Sequence, residues 1–175
     1  MSESLEVPLP TRRQTLRLGA ALASQLAPGD LLLLEGPLGA GKTFLTRSIL
    51  RQLGVPYEIP VTSPTFGLVH EYRGRFRVLH ADLYRLETRR EVEQLGLRES
   101  REGGVIVIAE WAERFSPVTP TPEQPELLGQ DGLLVRLTRD LENDEKAVRS
   151  ATLYARGERG CAILAALSMS RSSPV

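Results

Sequence analysis

The sequence predicts an α/β fold: a three-layer sandwich with a largely parallel central sheet, antiparallel additions, and helices on both faces. Three observations predict it. Residues 31–35, "LLLLE", and 104–109, "GVIVIA", are short continuous apolar runs between turn signals, the pattern of strands buried on both faces. Amphipathic helical patterns flank the first run. Later in the chain, β-rich runs come in pairs, as antiparallel neighbours do.

Taken in order, residues 11–27 place Leu16, Ala20, Ala23 and Leu26 at helical spacing, with Thr11 as N-cap and "PGD" at 28–30 as the stop. After the 31–35 strand and a glycine-rich loop, "KTFLTRSILRQLG" carries Phe44, Leu45, Ile49 and Leu53 on one face and closes at Gly54. "FGLVHEY" and "RFRVLHADLY" flank Arg73-Gly74-Arg75 and read as a hairpin. Residues 87–97, "ETRREVEQLGL", read as one short helix, and 104–109 as the next buried strand. Four prolines between 117 and 125 exclude regular structure there and mark an exposed loop, a possible contact region along with the hairpin. "DGLLVRLTRD" and "KAVRSATLYAR" form a strand pair, and a helix runs from about Glu158 to Leu167. One domain is expected over 1–167, with 168–175 as a frayed tail.

Composition narrows the function. Lysine plus arginine number 22, as do aspartate plus glutamate, so the net charge is zero. That is no footprint for direct nucleic-acid binding; a nucleic acid would be reached through a partner. The single cysteine, Cys161, makes no intrachain disulfide and no zinc cluster, fits a reducing cytoplasm, and reads as a small buried hydrophobe. "MSESLEVPLP" has neither the basic nor the apolar segment of a signal peptide. No apolar run approaches the roughly 20 residues of a membrane span.

Gly36-x-x-x-x-Gly41-Lys42-Thr43 matches the phosphate-binding loop at every fixed position, between a buried strand and an amphipathic helix. Glycine lets backbone N–H groups turn inward around a phosphate, and the helix N-terminus adds its own unpaired donors. The expected nucleotide contacts are Gly36, Leu38, Gly39, Ala40, Gly41, Lys42, Thr43 and Phe44. Lys42 reaches the outer phosphates and the Thr43 hydroxyl ligates Mg²⁺. A fold of the P-loop NTPase-like type follows.

Such a loop needs carboxylates at the ends of nearby strands. Asp82 closes "RVLHAD" and Glu110 closes "VIVIAE". Asp82 could instead pair with Arg85 on the surface, whereas a lone carboxylate ending a buried run is costly without a role. Ser63, Pro64 and Thr65 read either as a γ-phosphate switch or as a plain turn. Trp111 reads as packing, and His70 and His80 as structural. The N-K-x-D tetrad that reads guanine is absent, which argues against GTP. Arg85, Arg89 and Arg90 keep a small-molecule kinase open as the alternative.

"GDLLLLEGPLGAGKTFLTRSIL", "SPTFGLVHEY", "HADLYRL" and "AEWAER" occur in the order found in the TsaE (formerly YjeE) family, and the resemblance runs from about Thr15 to Arg114. It implies a bacterial P-loop ATPase of tRNA threonylcarbamoyladenosine biosynthesis that hydrolyses ATP with Mg²⁺. Such a protein acts with TsaB and TsaD, its hydrolysis resetting the complex that modifies tRNAs reading ANN codons. By the same resemblance Lys42, Asp82 and Glu110 are catalytic, and Thr43, Glu110 and Asp82 serve the metal. Ser63, Pro64, Thr65 and Trp111 become switch residues, which raises Trp111 above packing. The chain departs from the family pattern at Pro37, Ala81 and Ala109, none of which removes a chemical group.

Overall fold

The computed structural model describes residues 4–115, 127–139 and 149–172. Among the described residues there are seven strands and five α-helices: β1 (Ser4–Pro8), α1 (Arg12–Gln25), β2 (Leu31–Glu35), α2 (Lys42–Gln52), β3 (Val69–Arg73), β4 (Arg77–Asp82), α3 (Arg89–Gln94), α4 (Leu97–Glu102), β5 (Ile106–Glu110), β6 (Gly132–Arg139), β7 (Arg149–Arg156) and α5 (Gly157–Ser172). They make one sheet in the order β1-β7-β6-β2-β5-β4-β3. The central strands β6, β2, β5 and β4 are mutually parallel; β7 and β3 are added antiparallel to them, and β1 pairs antiparallel with β7. This is the predicted α/β architecture.

β2 is buried along its whole length because both faces are covered. Leu32 and Leu34 join Ile106, Ile108, Leu45 and Ile49 in a core under α1, α2 and α5. Leu31 and Leu33 join Val107, Val92 and Leu97 in a second core under α3 and α4. Each such leucine contributes about 1.5–3 kcal/mol by leaving water. Ala81 and Ala109, two departures from the family pattern, lie opposite each other across β4 and β5 and are fully buried on the α3/α4 face.

Several boundaries differ from the sequence reading. The buried face of α1 is Thr15, Leu18, Gly19, Leu22 and Ala23, whereas Leu16 is exposed. The reason is α2: Gly19 lets Ser48 approach so closely that a Cβ on Gly19 would stand 2.2 Å from its Oγ. Phe44 is likewise only half-buried, and the inward face of α2 is Leu45, Thr46, Ser48, Ile49 and Leu50. α2 does end at Gly54, whose φ of +88° supports paired bonds from Gly54 N–H to Arg51 O and from Val55 N–H to Leu50 O. The single helix expected over 87–97 is two: α3 opens with a Thr88–Glu91 capping box, and Gly96, at φ +61°, turns the chain into α4.

β1 went unread. It is a short edge strand whose Leu5 and Val7 alternate onto the core, a weak signal beside the buried runs. α5 runs on past Leu167 to Ser172, into the segment expected to fray. Cys161 is exposed rather than buried, because the inward stripe of α5 is Gly160, Ile163, Leu164 and Leu167. The proline-rich stretch 117–125 lies outside the described residues, as do 140–148 and 173–175. Among the described residues, no helix is long and apolar enough to cross a membrane.

Candidate functional site

The sheet places the ends of β2, β4 and β5 side by side. Leu34 and Asp82 both lie opposite Glu110, so loop, Asp82 and Glu110 meet at the carboxyl edge of the parallel strands. There a cavity of about 390 Å³ is lined by Leu38, Gly39, Gly41, Lys42, Thr43, Phe44, Ser63, Thr65, Asp82, Tyr84, Glu110 and Trp111.

The loop is held by backbone geometry that only glycine adopts readily. Gly36, Gly39 and Gly41 have φ of +132°, +76° and +107°. Gly36 also passes so near β6 that a Cβ would stand 2.2 Å from Leu137 O. Gly41 is the N-cap of α2 without a side-chain cap, so the first-turn N–H groups of Lys42, Thr43 and Phe44 have no acceptor within the helix. Gly36 and Ala40, expected as nucleotide contacts, do not line this cavity; the Ala40 N–H donates to Pro37 O at 3.1 Å.

Lys42 is folded back onto its own loop. Its Nζ donates to Gly36 O at 2.6 Å and Pro37 O at 3.1 Å, and the Trp111 ring lies over it, 3.5 Å to the centroid. Burial holds this ammonium below the ordinary lysine range, while Glu110, Glu113 and Asp82 pull it back up. Trp111 has φ +62°, donates its N–H to Leu34 O at 2.9 Å, and packs against Tyr84 with ring centroids 4.8 Å apart and planes tilted by 49°. A bulky residue in that backbone region is strained by about 1–3 kcal/mol. The strained indole thus sits against the one lysine that lines the cavity.

The carboxylates are held differently. Glu110 Oε2 accepts the Thr43 hydroxyl at 3.0 Å, and Oε1 lies 2.8 Å from His80 Nε2. Asp82 Oδ2 accepts from Ser63, and from Thr65 at 3.0 Å, while Oδ1 accepts the Tyr84 N–H at 3.0 Å. Asp82 is buried and satisfied, and Arg85 lies over the Phe66 ring instead of pairing with it. Pro64 is buried outside the cavity and accepts the Leu68 N–H at 2.6 Å. Ser63 and Thr65 thus belong to the site as hydroxyl donors to Asp82, not as a bare turn.

Three site features escaped the sequence reading. His80, read as structural, touches Glu110; the H-x-D spacing, which puts both residues on one strand face, is the signal that could have found it. Glu35, at the end of β2, is buried beside the loop; burial pushes its carboxyl up and Arg136, 3.0 Å away, opposes this. A second cavity of about 190 Å³ shares Gly39, Gly41 and Phe44 with the first and adds Arg12, Thr15 and Arg149, with the Arg12 guanidinium 5.3 Å from the Phe44 ring centre.

The donor set suits a magnesium–nucleotide complex. Thr43 and Glu110 offer adjacent hard oxygens, and Mg²⁺ characteristically takes one or two protein oxygens plus phosphates and water. No cluster of three or more metal-ligating side chains occurs among the described residues, so the arrangement is not a dedicated protein cage. None of Arg85, Arg89 and Arg90, the lid arginines of a kinase, lines the cavity.

The family model of threonylcarbamoyl adenosine biosynthesis protein TsaE matches residues 9–148, beyond the Thr15–Arg114 span of the sequence motifs. The chain is 35% identical over 136 residues to the tRNA threonylcarbamoyladenosine biosynthesis protein TsaE of Rickettsia bellii (strain RML369-C), covering 75% of this chain and 93% of that one. It is 38% identical over 148 residues to the protein of that name from Mycobacterium tuberculosis (strain ATCC 25618 / H37Rv), covering 79% and 81%. The crystal structure of Bacillus subtilus YdiB superposes with a TM-score of 0.75 at 28% identity, covering 98% of this chain and 99% of that one. With its phosphate loop, this family match and these relatives, the chain belongs to the TsaE family of P-loop, nucleotide-binding proteins.

Proposed function

We propose that the protein is a Mg²⁺-dependent ATP hydrolase serving the formation of threonylcarbamoyladenosine in tRNA, weakly active alone and working with TsaB- and TsaD-type partners in the cytoplasm. The observation that carries this reading is the convergence of Lys42, Thr43, Glu110 and Asp82 on one cavity that none of Arg85, Arg89 and Arg90 lines. The net charge of zero fits contact with tRNA through those partners rather than directly.

In this reading the β- and γ-phosphates take the N–H groups of Gly39, Gly41, Lys42, Thr43 and Phe44, with Gly36 and Ala40 shaping the loop from behind. Lys42 leaves Gly36 O and Pro37 O for the phosphates and neutralises charge that develops in the transition state. Bound Mg²⁺ supplies electrostatic stabilisation of the phosphates, and Thr43 and Glu110 are the residues that would hold it. Asp82, tied to Ser63 and Thr65, couples the occupied site to the Ser63-Pro64-Thr65 segment and orients the attacking water. Trp111 covers Lys42 until nucleotide draws it away. Arg12 and Phe44, which line the smaller cavity, would hold the adenine base.

The test is ATP turnover of the purified chain with and without its partners, together with repeated tRNA modification by the reconstituted mixture. Hydrolysis stimulated by partners, and modification that stalls when this chain is omitted, are expected. Phosphate transfer to a small acceptor without partners would establish the kinase alternative.

A further inference from the structure

His80 is fully buried, in a core built mainly of aliphatic side chains. Alternation along β4 puts Val78, His80 and Asp82 on one face. Asp82 lies opposite Glu110 and His80 opposite Ile108, so His80 sits one step deeper in the sheet, beneath the Glu110 carboxylate. An imidazole here costs free energy unless its nitrogens are paired. Nε2 lies 2.8 Å from Glu110 Oε1, but Nδ1 has no hydrogen-bond partner among the described residues. Because an ionised carboxylate only accepts, Nε2 is the donor in this contact and carries a proton. An aliphatic residue would fill this position without that unpaired atom.

The contact divides the work of the two Glu110 oxygens. Oε1 is taken by His80, and Oε2 meets the Thr43 hydroxyl at 3.0 Å. A carboxylate held through one oxygen cannot swing about its terminal bond without breaking that hydrogen bond, so Oε2 stays aimed at the phosphate loop. We propose that His80 is a positioning residue: its Nε2–H fixes the Glu110 carboxylate so that one oxygen joins the Thr43 hydroxyl as a preformed pair of donors for the nucleotide's divalent cation. The inference rests on the Mg²⁺–nucleotide reading of the site and names the residue that orients its acidic ligand.

The test compares His80→Gln with His80→Asn in the full-length chain. Glutamine carries its amide N–H where the ring carries Nε2; asparagine places it near the Nδ1 position, short of Glu110. Both are neutral amides, so a purely structural role would affect them alike. ADP affinity is measured by calorimetry with and without Mg²⁺, alongside the Mg²⁺ dependence of ATP turnover. In wild type and His80→Gln, Mg²⁺ strengthens ADP binding to a similar degree. In His80→Asn that gain shrinks about 10- to 100-fold, the cost usual for losing a residue that orients a metal ligand. Half-maximal turnover then needs correspondingly more Mg²⁺, and metal-free ADP affinity is unchanged in all three. Equal Mg²⁺ responses in the two variants, whether both normal or both impaired, overturn the proposal. If thermal melting shows that His80→Asn does not fold, His80→Leu, which matches the aliphatic surroundings and also lacks a donor, takes its place with the same expected loss. A wild-type chain that binds no nucleotide, or binds it without regard to Mg²⁺, overturns the site reading itself, before any substitution is made.

Discussion

The Thr43 hydroxyl donates to Glu110 Oε2 at 3.0 Å, joining the first turn of α2 to the end of β5 across 67 residues of chain. The two arrive there because β2 and β5 are adjacent parallel strands ending at the same level, and the loop between β2 and α2 folds over that edge. Glu110→Gln keeps the shape of the side chain and removes its charge. ATP turnover should fall by at least about 100-fold, about 2.7 kcal/mol of transition-state stabilisation, with metal-free ADP affinity within a few-fold of wild type. Steady-state kinetics and calorimetry check it; a variant that turns over normally would remove Glu110 from the chemistry.

Lys42→Met should abolish nucleotide binding while stabilising the nucleotide-free protein at neutral pH. Burial holds the Lys42 pKa below its ordinary value of 10.5. The folded chain therefore binds this proton more weakly than the unfolded chain does. Stability is reduced below the folded pKa and recovers as pH rises from there toward 10.5. Denaturant titrations of both proteins between neutral pH and 10 should show a gap that narrows as pH rises; a gap that widens contradicts the burial argument.

Ser63 and Thr65 both donate to Asp82 Oδ2, and their own hydroxyls lie 2.9 Å apart. Replacing both by alanine strands a buried carboxylate oxygen, at a cost of about 1–3 kcal/mol. In an Asp82→Ala background the same double substitution should cost far less, since the stranded group is gone. Coupling of about 0.5–3 kcal/mol across this cycle, read from urea unfolding, is expected; strict additivity would mean the three residues do not act together.

Trp111 is the only tryptophan in the chain, so its fluorescence reports on the ring over Lys42. The cation–π contact contributes about 0.5–2 kcal/mol, less than the charge-assisted bonds a phosphate offers Lys42. Mg·ADP should therefore draw the ammonium from the ring face and change the emission intensity, and Lys42→Met should abolish the response. Emission indifferent to saturating nucleotide would show that ring and lysine stay together.

At Gly19 two magnitudes compete. Alanine is favoured over glycine inside a helix by about 0.8–1.0 kcal/mol. Yet a Cβ there would meet Ser48 Oγ at 2.2 Å and Cβ at 2.5 Å, and such overpacking costs about 1–3 kcal/mol. Gly19→Ala should destabilise on balance, and adding Ser48→Gly should restore part of the loss, as thermal melts would reveal. A stabilised Gly19→Ala would mean that α1 and α2 separate freely.

The buried strands β2 and β5, the hairpin of β3 and β4, and the loop Gly36–Thr43 were legible in the sequence because each is a contiguous pattern with a local cause. Continuous apolar runs mean two covered faces, and glycines before Lys-Thr mean a backbone turned onto an anion. The inward stripe of α1, the break at Gly96 and the exposure of Cys161 were not legible in this way. They depend on which neighbour each helix meets and how closely, as Gly19 against Ser48 makes plain.

The sequence by itself determined that this chain carries a phosphate loop on a mostly parallel sheet, and that Asp82 and Glu110 close two of its strands. Only the tertiary structure decided how those acids are held: Glu110 between Thr43 and His80, Asp82 beneath Ser63 and Thr65, Lys42 under Trp111. The physical reason is strand register. Setting Asp82 and Glu110 side by side on adjacent strands creates hydrogen bonds between residues far apart in the chain, and no local propensity encodes them.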